Sequence, residues 1–261
     1  MPLVALLLAP PVAWALKLPI EILGAFTHSK IMPKPSKRYC SATEKSDLSQ
    51  LLTLEQAMEV LNQMEKVKFD ETVELSVALG VDPKQTSQSV RGTVNLPHGS
   101  GRKIVVAVFT EKPDEAEAAG ADIIGLEDLV AKVKDGWCDF DVAIATPEAM
   151  KQVRSVARVL GPRGLMPTPK AGTVTDDVNS AVQAVKAGRV EFKMDKTGAL
   201  AVILGKRSFS PTQLVENALA AIKAIVAVRP EGLKGRYIRR MTVSSTMSPG
   251  ISLDNSVFAQ L

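Results

Sequence analysis

The spacing of apolar residues changes twice along this 261-residue chain, and this constrains the fold more than any other feature. Over residues 72–79 apolar and polar residues alternate, which predicts a strand with one buried face. From 104 to 145, short continuous apolar strands alternate with helical patterns, which indicates a parallel α/β layer. Strict alternation returns at 189–194 and 199–204. The pattern therefore predicts a discontinuous outer domain that is interrupted by an inner α/β insert.

Helical periodicity accounts for most of the other elements. Residues 51–67 and 211–228 space their apolar side chains three and four apart, which predicts two amphipathic helices. The segment 161–172 is rich in Gly and Pro and is predicted to be irregular. The remaining predictions are helices at 113–119, 126–133, 148–159 and 176–187, and strands at 90–96, 104–109, 121–124, 141–145 and 236–245.

The net charge of +4 lies in the first 43 residues, which contain five basic residues and one acid. This stretch begins with an apolar run and continues into a basic run at 34–38. Both features predict a targeting peptide or a disordered leader over residues 1–44, with processing near Arg38–Ser41. The apolar run fits a secretory signal and the basic run an organelle transit peptide. A bipartite leader fits both, and a retained extension is the other alternative.

The rest of the chain is neutral overall but uneven. Residues 44–150 carry 10 basic and 20 acidic groups, whereas residues 151–261 carry 17 and 7. This excess suggests an anionic partner for the later half, or it simply balances the acidic first half. Lysines and arginines beside the later strands suit contacts with phosphates, and the hydroxyls of residues 244–246 suit contacts with ribose. RNA binding is therefore one of the functions that the residues allow.

Enzymatic chemistry has little support in the sequence. Two His and two Cys make no visible nucleophilic or zinc-binding constellation. The chain lacks a phosphate-binding G-x-x-x-x-G-K-[ST] loop, and its Gly-rich segment at 98–101 precedes a strand instead of following one. Residues 195–198 match the phosphorylated motif of ion-pumping ATPases but also suit an ordinary turn. We predict no catalytic residue, no metal site, no cofactor and no membrane span.

Five motifs of the chain form a recognisable series: KFDETVE at 68–74, VRGTVNLPHG at 90–99, LGPRGLMP at 160–167, VEFKMDKTG at 190–198 and TVSSTM at 242–247. They resemble the ribosomal protein L-one family in its bacterial form, and they occur in the order and spacing of that family. The resemblance covers residues 50–254 or so, and with the leader it indicates an organelle form. It implies an α+β outer domain formed by residues 45–97 and 189–261, and a Rossmann-like three-layer insert at 98–188.

The resemblance also implies a function. A member of this family is a structural constituent of the large ribosomal subunit, binds the stalk-base region of large-subunit rRNA, and helps to move deacylated tRNA out of the exit site. Binding of its own mRNA, as a translational repressor off the ribosome, is the alternative role. A nucleotide-dependent enzyme that uses the α/β insert is the other alternative, and the missing phosphate-binding loop counts against it. With the leader, we expect a ribosome in the mitochondrial matrix, with a plastid as the alternative, and no membrane partner for the mature form.

Three RNA-contacting stretches follow from the resemblance. Their lysines are expected to contact phosphates, their hydroxyls ribose and the RNA backbone, their apolar side chains bases or sugars, and their acids base amino groups or neighbouring donors. Two departures from the family pattern bear on affinity: Ser248 replaces a usual Gly, and residues 201–203 replace a usual His-Ala-Pro. Arg163 in the loop 161–164 could contact RNA or could belong to a packed loop. The expected contacts are Lys68, Phe69, Thr72 and Glu74, then Lys193, Asp195, Lys196 and Thr197, then Ser245, Thr246, Met247 and Ser248.

Overall fold

Eight α-helices and three sheets make up the part of the chain that the computed structural model describes, which is residues 35–45, 50–231, 233 and 235–256. The described residues from Lys37 onward form one compact unit. The helices are α1 Lys37–Lys45, α2 Leu54–Gln63, α3 Pro113–Ala118, α4 Glu127–Lys134, α5 Met150–Val153, α6 Ala157–Arg163, α7 Val178–Lys186 and α8 Pro211–Ala227. The strands are β1 Thr72–Leu79, β2 Arg91–Asn95, β3 Val106–Phe109, β4 Ile123–Gly125, β5 Val142–Ala145, β6 Arg189–Lys193, β7 Ala199–Lys206, β8 Ile238–Ser245 and β9 Ile251–Leu253.

The largest sheet has four antiparallel strands in the order β7-β1-β8-β9. Strand β1 alternates as its sequence predicts, so its odd-numbered residues from 73 to 79 are buried in a core that also contains residues of α2 and α8. A capping box between Thr53 and Gln56 starts α2, and an equivalent box between Ser210 and Gln213 starts α8. Both helices therefore begin at defined positions on the sheet.

The parallel layer has three strands in the order β4-β3-β5. All four residues of β3 are buried, because helices cover both faces of this sheet. Val106 and Val108 pack with residues of α3 and α7. Ala107 and Phe109 pack with residues of α4, α5 and α6 on the other face. The predicted three-layer α/β arrangement is therefore confirmed.

The apolar clusters divide along the chain as the hydrophobic pattern predicts. The core of the four-stranded sheet uses buried residues up to Leu96 and from Phe192 onward, whereas the two clusters of the parallel layer use residues 106–185. The two connecting segments touch each other: a Cβ on Gly188 (φ +111°) would lie 2.4 Å from the Cα of Gly99. The predicted fold class, an α+β part interrupted by a Rossmann-like insert, is confirmed.

Several predicted elements differ in detail. Helix α2 is shorter than the predicted 51–67, and Leu51 is 65% exposed instead of buried. The predicted helix 148–159 is divided into α5, a 3₁₀ turn and α6, and α6 extends into the stretch expected to be irregular. The turn at 195–198 joins β6 to β7, and such a turn between two strands is typical of a hairpin, but the two strands do not pair with each other. Strand β6 pairs with β2, and β7 pairs with β1. The short strand β9 carries too few periodic residues to have been predicted, and helix α1 lies at the end of the predicted leader.

Candidate RNA-binding surface

The first and third predicted RNA-contacting stretches meet at one end of the four-stranded sheet. Because β1 and β8 are antiparallel, the beginning of β1 lies beside the end of β8. The amide of Thr246 donates to the carbonyl of Thr72 at 3.1 Å, and the amide of Thr72 donates to Oγ1 of Thr246 at 3.1 Å. Two segments that are 174 residues apart in the sequence are thereby fixed in register. We call this end of the sheet the β1–β8 junction.

Exposed side chains of different chemistry surround the β1–β8 junction. Phe69 is 54% exposed and Met247 is 47% exposed, which is unusual for large apolar side chains in a folded protein. Lys68 and Glu74 are also exposed. Phe69 borders a shallow cavity of about 310 Å³. A cation, two apolar faces and an exposed carboxylate are groups that can contact the phosphates, bases and sugars of single-stranded RNA.

A buried ion pair lies beneath this surface. Glu71 is 1% exposed and Arg207 is 6% exposed, and their side chains are joined by a short hydrogen-bonded ion pair between Arg207 Nη1 and Glu71 Oε2. The other carboxylate oxygen of Glu71 accepts from the amide of Met247 at 3.1 Å. Arg207 Nη2 donates to the carbonyls of Leu61 and Met64 at 2.8 and 2.6 Å, at the end of α2. The pair therefore links α2 to the turn that presents Met247.

This burial corrects one interpretation of the sequence and adds a residue to the site. Arg207 belongs to the basic residues beside the later strands, but the structure assigns it to the core, where it does not reach a phosphate. Its neighbour Lys206 lies opposite Thr72 in the β1–β7 pairing and donates from Nζ to Oγ1 of Thr72 at 3.0 Å. Lys206 is one of the basic residues beside the later strands that suit contacts with phosphates, and the sheet register places it at the β1–β8 junction.

Two serines of the third stretch differ from expectation. Ser245 is 5% exposed and its hydroxyl is buried without a hydrogen-bond partner, so it does not face a ligand on the surface. Ser248 is expected to contact RNA and, because it replaces a usual Gly, to weaken or adjust that contact. Its hydroxyl instead accepts from the amide of Ser245 at 2.8 Å and donates to the carbonyl of Pro249 at 3.0 Å. Ser248 therefore closes the turn after β8 by hydrogen bonding to the backbone.

The second predicted stretch lies elsewhere. The turn at 195–198 follows β6 and packs at the opposite end of β1, where the amide of Leu79 donates to the carbonyl of Gly198 at 2.9 Å. An eight-residue strand spans about 23 Å, so this turn is separated from Thr72 by most of the sheet. Lys193, Asp195, Lys196 and Thr197 are all exposed there. The structure therefore brings the first and third stretches together and leaves the second stretch at a separate site.

Asp195 is engaged within its own turn. Its Oδ1 accepts from the hydroxyl of Thr197 at 2.6 Å, the amide of Thr197 at 2.7 Å and the amide of Ala199 at 3.2 Å. The hydroxyl of Thr197 first, and then these amides, hold the pKa of Asp195 below its usual value. The carboxylate is ionised at neutral pH and orients Thr197, which agrees with the second of the two roles expected for Asp195.

A cavity of about 470 Å³ lies beside the β1–β8 junction and is lined by residues of all three sheets and of nearby loops, including Thr72, Lys206, Arg102, Asp141 and Met166. Asp141 and Arg102 lie at the amino ends of the parallel strands, whereas nucleotides bind open parallel sheets at the carboxyl ends. The cavity therefore does not have the position of a nucleotide site.

The loop 161–164 forms the last turn of α6 and ends at Gly164 with φ +76°. Arg163 is exposed, while Leu165 and Met166 pack against the core of the insert.

The part of the chain that the structure describes contains no group of three or more His, Cys, Asp or Glu placed to hold a metal ion. In the same ranges, every helix is too short or too polar to cross a lipid bilayer.

Comparison with known proteins identifies the family. The family model described as "Ribosomal protein L1p/L10e family" matches residues 61–249. Three bacterial relatives are each named "Large ribosomal subunit protein uL1". The relative from Persephonella marina is 55% identical over 229 residues, covering 85% of this chain and 95% of its own length. The relative from Kosmotoga olearia is 51% identical over 226 residues, with coverages of 86% and 98%.

The third relative, from Mycolicibacterium smegmatis, is 51% identical over 228 residues, which is 87% of this chain and 97% of its own length. The matched family is one of ribosomal proteins and not of enzymes. The five motifs that resemble the L-one family thus lie in a chain whose fold, matched length and relatives agree. The chain belongs to the ribosomal protein L1p/L10e family.

Proposed function

We propose that this protein is a structural constituent of the large ribosomal subunit and that the β1–β8 junction binds large-subunit rRNA. The names of its relatives support the first part of the proposal. The single observation that supports the second is the exposure of Phe69 and Met247 on a hydrogen-bonded junction of two distant segments. Exposed apolar side chains on a rigid backbone are suited to bases that have been splayed out of an RNA stack.

Each residue has a proposed role at this surface. Lys68 and Lys206 contact phosphates, Phe69 and Met247 contact bases or sugars, and Thr72 and Thr246 contact ribose hydroxyls. Glu74 accepts from a base amino group. Ser245 and Ser248 shape the turn. Lys193, Lys196 and the turn that Asp195 and Thr197 form contact a second part of the same RNA, about 23 Å away along β1.

The RNA is proposed to be the stalk-base region of large-subunit rRNA. From that position the protein would help to move deacylated tRNA out of the exit site.

The two parts of the fold would act as domains with boundaries at 45–97 plus 189–261 and at 98–188, joined where Gly99 meets Gly188. We propose no catalytic activity. Repression of its own mRNA through the same surface is the alternative role, and no observation favours it over the first.

The location is proposed to be a mitochondrial ribosome, reached through a transit peptide, with a plastid as the alternative. Residues 1–34 and 46–49 lie outside the described residues, so the support comes from composition: this leader is poor in acids and ends in a basic run. The first 45 residues fused to a fluorescent reporter should accumulate in mitochondria. Accumulation in plastids would support the alternative, and a diffuse cytosolic signal would contradict targeting.

The proposed RNA binding is tested with the full chain and a stalk-base rRNA fragment. We expect binding that weakens as salt rises and that exceeds binding to an unrelated RNA of equal length. Thr246→Val and Met247→Asp should each weaken binding by about 1–3 kcal/mol. Thr212→Val, at an exposed threonine on α8, is the matched control and should bind as the wild type does. Equal affinity for both RNAs at every salt concentration would refute the proposal.

A further inference from the structure

Helix α1 lies against the β1–β8 junction, although the sequence analysis places it in the leader. Ala42 is 3% exposed and joins the core of the four-stranded sheet. Arg38 Nη2 donates to the carbonyl of Met247 at 2.6 Å. Ser41 Oγ donates to Glu65 Oε1 at 3.5 Å, just after α2. The helix is therefore anchored to the core, to the Met247 turn and to the segment that precedes Phe69.

The length of one match places α1 inside the sequence of a bacterial relative. The Mycolicibacterium smegmatis relative matches 87% of this chain over 97% of its own length. About 13% of 261 residues, or roughly 34, lie outside that match. Even a match that ran to the last residue would therefore begin before Lys37. A nearly complete bacterial protein thus has a counterpart of α1, and a removable leader would not.

The chemistry of α1 resembles that of the surface beside it. The first turn of the helix has no acidic residue and carries Lys37 and Arg38. Tyr39 is 39% exposed, so α1 adds another large exposed ring to a region that already contains Phe69 and Met247. A guanidinium has five N–H donors in a planar fork, and the bond to Met247 uses one of them. The same Arg38 can hold the turn and also contact a phosphate.

We propose that α1 is part of the RNA-binding surface of the mature protein, where Arg38 and Lys37 contact phosphates of the RNA segment that lies on Met247. Processing of the leader then occurs before Lys37, and not within Arg38–Ser41. This proposal rests on the proposed rRNA binding and extends the surface by one helix. It gives Arg38 two roles, which are to fix the carbonyl of Met247 and to neutralise phosphate charge.

The first test is the amino terminus of the mature protein. The intact mass of the chain isolated from ribosomes of its own source should correspond to a terminus at or before Lys37. A mature chain that begins at Tyr39 or later would lack Arg38 and would overturn the proposal, whatever its affinity for RNA.

The second test measures RNA affinity of the full chain as a function of salt. Arg38→Gln should weaken binding to the stalk-base rRNA fragment about tenfold, and should reduce the slope of log K against log salt by about one. Glu44→Gln, at an exposed acid of the same helix, is the matched control and should not weaken binding. Ala42→Asp places a charge where α1 packs on the core and should detach the helix. It should therefore weaken RNA binding as Arg38→Gln does.

The outcomes separate the two proposals. A wild-type chain that fails to bind the rRNA fragment contradicts the proposed function itself. A wild-type chain that binds, together with Arg38→Gln of unchanged affinity and unchanged salt slope, contradicts only the role of α1. A loss of affinity with an unchanged slope also overturns the phosphate contact, because Arg38 would then act only by positioning the Met247 turn. Circular dichroism of each variant verifies that the fold is retained.

Discussion

Removing the carboxylate of Glu71 should destabilise the protein far more than removing that of Glu191, although each forms an ion pair with an arginine. Glu71 and Arg207 are 1% and 4% exposed at their side chains, whereas the side chains of Glu191 and Arg91 are 34% and 24% exposed. In Glu71→Ala the guanidinium of Arg207 stays buried without its counter-charge. Breaking a buried pair in this way costs about 3–5 kcal/mol.

The hydrogen-bond partners that Arg207 retains in Glu71→Ala determine where the cost lies within this range. Arg207 keeps the carbonyls of Leu61, Met64 and Glu65, which partly compensate its charge and favour the lower end. The amide of Met247 loses its acceptor, which adds a cost in the same direction. Glu71→Gln keeps an amide oxygen for Met247 and should cost less than Glu71→Ala. Loss of the Arg91 pair in Glu191→Ala should cost about 0–1 kcal/mol.

The assay is unfolding of the full chain in urea at pH 7, followed by far-ultraviolet circular dichroism and extrapolated linearly to water. The expected order of destabilisation is Glu71→Ala, then Glu71→Gln, then Glu191→Ala. RNA binding provides a second readout. Glu71→Ala should weaken binding through a displaced Met247 turn and leave the salt slope unchanged, because no phosphate contact is removed. Equal stability of Glu71→Ala and Glu191→Ala would refute the argument from burial.

Three further variants test single features of the fold. Gly188→Ala should lower the free energy of unfolding by about 1–3 kcal/mol in the same urea assay, because its Cβ would collide with Gly99 at a positive φ. Ser248→Ala should lower the free energy of unfolding by about 0.5–1.5 kcal/mol, because the amide of Ser245 loses its acceptor. An unchanged free energy of unfolding would show that water replaces this hydrogen bond. Burial raises the pKa of Tyr237 to about 12, so stability that is fully present below pH 10, the pKa of an unfolded tyrosine, should fall as pH rises towards 12. Tyr237→Phe should remove that part of the pH dependence of urea unfolding.

The sequence predicts the fold class because the periodicity of buried residues is a local property. The alternation at 72–79 becomes β1, and the continuous apolar run at 104–109 contains β3, whose residues are covered on both faces. The partners of a strand are not local. Strands β6 and β7 are separated by a turn of suitable composition, yet each pairs with another strand, because β2 and β1 offer the apolar faces that complete their cores.

For the site, too, the sequence predicts local features and not the contacts between distant segments. The resemblance locates Thr72 and Thr246, and their positions in the strands explain why they meet. The burial of Arg207 depends on Glu71, which is 136 residues away, and nothing in the local sequence distinguishes Arg207 from the half-buried Lys206 before it. Helix α1 is hidden for a different reason: its basic, acid-poor sequence has the composition of a transit peptide, and its contacts with Met247 and with the core, through Arg38 and Ala42, distinguish it from one.

The two ends of β1 differ in how their turns are stabilised, and this bears on how each can recognise RNA. The turn at 195–198 is closed by Asp195 within four residues of chain, so its shape is independent of the rest of the sheet. The Met247 turn is instead held by Glu71 from the core and Arg38 from α1, while the adjacent Thr246 is bonded to Thr72. Contacts with distant segments fix its backbone before RNA arrives, which lowers the conformational entropy lost on binding. Because the chain after residue 43 is neutral overall, recognition at this end depends on that fixed geometry more than on total charge.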